Sequence, residues 1–105
     1  MSGIDSARRT EALGNVSQAL TLLERVQIRW RRYEDTTPLA NAAEPIAIIL
    51  RTTKNVLARS TDAHLSDTAR MLLGGILAMQ KIKRDELRPV IDKAECAYEL
   101  VDPGS

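Results

Sequence analysis

The chain has 105 residues, enough for one domain with a single sizeable core and too few for two ordinary ones. Apolar residues make up 44% and charged residues 28%, a composition that excludes an intrinsically disordered chain. Fifteen basic against fourteen acidic residues leave a charge of +1, which excludes a polybasic tail or a strongly polarised nucleic-acid binder, and a single cysteine excludes a disulfide framework and a cysteine-based zinc site.

With no Phe, one Trp and two Tyr, the core has to be built from Leu, Ile, Val, Ala and Met, which favours helix packing over a β-sandwich. Apolar residues recur at helical spacing almost throughout, and strand alternation is sustained nowhere over four or more residues. The expectation is an all-α single domain spanning residues 1–105, a small bundle of about four helices with short connections.

Ala12, Val16, Ala19, Leu23, Val26, Trp30 and Tyr33 are spaced 4, 3, 4, 3, 4 and 3, a coiled-coil-like seam that predicts a first helix from about Asp5 to Glu34. Gly14-Asn15 weakens it and offers a second starting point. Thr36-Thr37-Pro38 breaks the pattern, because proline disfavours helix at the residue before it. Leu39 to Glu44 reads as one short helical turn, with Pro45 in the first turn of the next helix. Ile46, Ile49, Leu50, Thr53, Val56 and Leu57 then share a face ending near Arg59.

Ser60 to Leu65 reads as a loop, and Ser66 with Asp67 behind it suits the N-cap of a third helix. There Ala69, Leu72, Leu73, Ile76 and Met79 share one face, and a second stripe of Met71, Gly75, Ala78 and Ile82 falls roughly opposite. A helix apolar on two sides is covered on two sides. Small residues permit close approach, so the second stripe predicts a homodimer interface, or else cover by another segment of the same chain. Pro89 either kinks a continuous helix or marks a new start near Asp85. Leu87, Val90, Ile91, Ala94, Ala97, Tyr98 and Val101 give the last helix an amphipathic face, and Pro103-Gly104 stops it.

Met1 to Asp5 has no apolar run behind basic residues, and the longest uncharged apolar stretch, Met71 to Met79, is about half of a bilayer span. A soluble, cytoplasmic protein with no membrane partner is expected.

The chemistry inventory is thin. His64 is the sole histidine, so neither a zinc site nor a His-x-x-x-His pair is available. Cys96 lies beside Glu95 and Glu99, whose carboxylates raise a thiol pKa and do not activate it. Asp92, Glu95 and Glu99 share a flank of the last helix without the Glu-x-x-His pairs of di-iron bundles. Gly74-Gly75 sits inside a helical pattern and carries no phosphate-loop lysine. No catalytic residue, cofactor or metal site is expected.

The strongest polar feature is Arg25 to Tyr33, in which Arg25, Arg29 and Arg32 share one flank next to Trp30 and Tyr33. The planar arginine fork pairs bidentately with carboxylate or phosphate and stacks on rings. Three readings are open: an acidic protein partner, a nucleic acid, or pairing with the acidic stripe of the last helix within or between chains. Tyr98 to Asp102 also matches Tyr-x-x-x-Asp, and in this the chain resembles the helical-hairpin substrates of type VII secretion. That resemblance implies a secreted two-helix protein with Trp-x-Gly between its helices, whereas Trp30 is followed by Arg31-Arg32.

The net charge favours the protein partner. The function expected is a non-enzymatic regulatory or adaptor protein, of a bacterial or phage type given eleven arginines to four lysines. A nucleic-acid-binding accessory protein and an enzyme with an unseen site are the alternatives.

Overall fold

A computed structural model describes residues 6–59 and 65–102. The fold is all-α, with four helices and no strand among the described residues. The first, α1, spans Ser6–Arg31 and runs unbroken through Gly14-Asn15. Its seam is buried from Ala12 through Trp30. The last seam position is corrected: α1 ends at Arg31, so Tyr33 falls beyond it and is 62% exposed. The end is fixed locally, by a 2.6 Å hydrogen bond from the Thr36 hydroxyl to the carbonyl of Trp30, one of the orphan acceptors of the last turn.

α2 spans Thr37–Arg59 as one helix of 23 residues. The expected short turn at Leu39–Glu44 and restart at Pro45 are therefore corrected, since Pro45 lies inside the helix. Pro45 is exposed, and so is Asn41, whose carbonyl loses its i+4 donor where water can replace it. Ala40, Ala43, Ile46 and Ala47 stay buried across the proline, and this continuous packing outweighs one missing hydrogen bond.

α3 spans Leu65–Ile82, which places Ser66 inside its first turn and not before it; Ser60 to His64 lie outside the described residues. Lys83 ends it in the left-handed region at φ 59°. A 3-10 turn at Asp85–Leu87 follows, then α4 at Arg88–Val101 with Pro89 in its first turn. Of the two readings of Pro89, the new start near Asp85 is the one found, and a single kinked helix is not.

Each helix packs on its neighbours in sequence and α4 closes the ring against α1, giving an antiparallel bundle of 51 × 21 × 18 Å. One hydrophobic core runs its length, with Leu23, Leu50, Leu72 and Val90 contributed by successive helices. No helix among the described residues is long and apolar enough to cross a membrane.

The face assignments of α3 need two corrections. Leu73, expected in the core, is 40% exposed, and Leu77 is 49% exposed beside it. The stripe expected to open outward is turned toward α2: Gly75 is buried, while Met71, Ala78 and Ile82 are half-buried. A Cβ on Gly75 would meet Ile49 Cγ2 at 3.4 Å and Ile46 Cγ2 at 3.9 Å. At 100° per residue the stripe stands about a quarter turn from the core face, the angle at which a bundle helix meets its neighbour. The cover of Gly75 is thus intramolecular, and Met71, Ala78 and Ile82 are left only partly exposed.

Candidate functional site

The core-facing residues of α1 dictate what its opposite side presents. Ser17, Gln18, Thr21, Leu22, Arg25, Ile28, Arg29 and Arg32 fall within about 140° of arc at 100° per residue, centred nearly opposite the buried seam. The outer face is lightly scalloped. Ser17, Gln18, Thr21, Leu22 and Arg25 line a shallow depression of about 360 Å³. Arg25, Ile28, Arg29 and Arg32 line a second, of about 310 Å³, so the two share Arg25 and run end to end.

Arg25, Arg29 and Arg32 are exposed, and their guanidinium groups make no ion pair or hydrogen bond among the described residues. Charges on the flank of the same helix are matched: Glu24 meets Arg51 at 3.5 Å, and Arg31 meets Glu44 at 3.6 Å. Between Ser17 and Arg32 no acidic residue stands on the outer face. In the middle of the three arginines Ile28 is 58% exposed.

Trp30 does not belong to this surface, which corrects its assignment as a partner-binding residue. It is 2% exposed, because its position on the seam turns the ring into the core. Its Nε1–H donates to Oε2 of Glu86 at 3.1 Å. Arg84 clasps that carboxylate through Nε at 3.2 Å and Nη2 at 3.0 Å, with its guanidinium carbon 5.9 Å from the indole centroid. The Arg84 contact, then the indole, then a backbone hydrogen bond at Glu86 hold the carboxyl down to about 2. The same contact pushes Arg84 up. This bracket closes one end of the bundle. The signal that points to it is a tryptophan on a core seam, whose N–H needs an acceptor when buried.

The acidic stripe of α4 lies elsewhere. Asp92, Glu95 and Glu99 are exposed. At one end of the α1/α4 pair Trp30 meets Glu86; at the other Arg8 Nη2 lies 3.5 Å from the carbonyl oxygen of Glu99. Each row lies opposite the buried side of its own helix, so the acids and the arginines both turn outward. Pairing of Arg25, Arg29 and Arg32 with this stripe inside one chain is not found.

A third depression, of about 410 Å³, lies between the end of α3 and the start of α4 and is lined by Lys83, Arg84, Arg88, Asp85, Asp92 and Glu95 among others. Two of its bases are already engaged, Arg84 by Glu86 and Arg88 by Asp85 at 4.0 Å. Cys96 is a free, exposed thiol. No group of three or more His, Cys, Asp or Glu side chains among the described residues is arranged to hold a metal ion. The type VII resemblance stops at Tyr98 and Asp102, since four helices stand where it implies two and Trp30 lies within α1. Comparison with protein-family models, with curated proteins and with solved structures gives no match.

Proposed function

We propose that the protein is a non-enzymatic regulatory or adaptor protein that acts by binding a protein partner along the outer face of α1, through Arg25, Ile28, Arg29 and Arg32. The observation that carries this reading is the exposure of Ile28 among three arginines with no acid to answer them. A protein surface that presents carboxylates around an apolar side chain satisfies both features at once, with an apolar centre and a charged rim. A phosphate backbone answers the arginines and leaves Ile28 with nothing to bury against. Tyr33, just past the helix end, is exposed as well.

Capture from native-host extract tests the reading. Arg29→Glu and Ile28→Asp should each abolish capture of the partner while leaving the helical circular dichroism intact. Binding of duplex or single-stranded nucleic acid should be weak at physiological salt. Tight nucleic-acid binding that is lost in Arg29→Glu and falls with salt at about 0.9 per neutralised duplex phosphate would replace the protein partner with a nucleic acid.

A further inference from the structure

Two exposed rows of opposite charge stand on different helices without partners among the described residues. Arg25 and Arg29 on α1 and Arg32 just past its end stand at i, i+4 and i+7 with no ion pair or hydrogen bond from their guanidinium groups among the described residues. On α4, Asp92 and Glu95 are exposed and also make no ion pair or hydrogen bond among the described residues. Arg29 and Arg32 are three residues apart, as are Asp92 and Glu95, and all four are exposed. Glu99 continues the acidic row by four residues, as Arg25 continues the basic one, so two such helices laid antiparallel would meet in register, Arg29 to Glu95 and Arg32 to Asp92.

The chain cannot close this match on itself. Each row lies opposite the buried side of its own helix, so the two turn outward on neighbouring helices and no ion pair joins them. A second copy has no such constraint. We propose that the outer face of α1 docks on the acidic face of α4 of a second copy of this chain, head to tail. This rests on the reading of the α1 face as a protein-binding surface and names the partner. The contact joins two different patches, so each docked copy leaves one basic and one acidic face open, and assembly proceeds to short chains unless the rotation closes a ring. A contact built on exposed charge weakens as salt shortens the screening length, from about 10 Å at 0.1 M to about 3 Å at 1 M.

Sedimentation velocity across a hundredfold range of concentration tests this with the full chain, whose single-copy mass is 11.6 kDa. At low salt the wild type should show mass rising with concentration, and 1 M NaCl should return it to one chain. A basic-face variant, Arg25→Gln with Arg29→Gln and Arg32→Gln, and an acidic-face variant, Asp92→Asn with Glu95→Gln, should each stay at one chain while keeping the wild-type circular dichroism. Mixed together they should form dimers and nothing larger, because each retains the face the other lacks. Three results overturn the proposal: a wild type of one-chain mass throughout, an association that either variant leaves unchanged, or a mixture that stays monomeric. If the wild type is monomeric yet Arg29→Glu still abolishes capture of a host protein, the α1 face binds a different partner and only the identity of the second copy is lost. If capture survives Arg29→Glu as well, the α1 reading falls with it.

Discussion

The indole Nε1 of Trp30 donates to Oε2 of Glu86 at 3.1 Å, a contact that ties the last turn of α1 to the connection between α3 and α4 across 56 positions of sequence. Removing the acceptor leaves a buried N–H without a partner, at a cost of about 1–3 kcal/mol. Glu86→Ala should therefore lower the urea midpoint clearly. Glu86→Gln, which keeps an acceptor, should lose less. Equal losses in both variants would mean that packing and not the hydrogen bond holds this end.

Acid titration probes the same bracket. Glu86 is held down to about 2 from an ordinary 4.5, with Arg84 the largest cause. A carboxyl depressed on folding contributes stability that is full above its unfolded pKa and is lost as pH falls through its folded value. The stability gap between wild type and Glu86→Gln should thus be constant near neutrality and close as pH drops from about 4.5 toward 2. A gap that persists at pH 2 would contradict the assignment.

Gly75 separates the intramolecular account of its stripe from an exposed one. Ile49 Cγ2 stands 3.4 Å from where a Cβ would sit, so Gly75→Ala makes a close contact that the neighbour must accommodate, whereas Gly75→Leu overpacks the α2/α3 contact. The leucine variant should cost about 1–3 kcal/mol in thermal or urea unfolding. That loss should be independent of protein concentration, since the neighbour belongs to the same chain.

Gly14 behaves differently. Nothing lies within 4 Å of its missing Cβ, and it stands in the interior of α1. Gly14→Ala should gain roughly 0.5–1 kcal/mol, because glycine loses more backbone entropy in a helix. At about 4–8 °C per kcal/mol for a chain of this size, differential scanning calorimetry resolves the gain. An unchanged or lower midpoint would refute it.

These residues also mark how far the sequence could be read. The seam of α1 and the row of Arg25, Arg29 and Arg32 follow from spacing alone, since side chains three and four apart share a helix face. Pro45 misled because proline is judged by the hydrogen bond it removes, and only the packing of Ala43, Ile46 and Ala47 on either side shows that the helix survives. Leu73 and Gly75 were misplaced because one periodic pattern cannot reveal where neighbouring helices stand around it. The Trp30 and Glu86 contact is invisible to spacing, as it joins residues that meet only once the bundle closes. That the three arginines lack partners is likewise a property of the assembled bundle, in which α4 turns its acids outward.

The central claim is that Ile28 and its arginines form a surface that touches another protein, and a photo-crosslinking residue placed at position 28 tests it in cells that produce the protein natively. Position 48 is the control, because Ile48 is likewise an exposed isoleucine, on α2. Crosslinks from position 28 to a protein, either a second copy or a different chain, should appear well above those from position 48 and vanish when Arg29→Glu and Arg32→Glu are added. Crosslinking at position 28 no stronger than at position 48, or adducts to nucleic acid alone, would contradict the account.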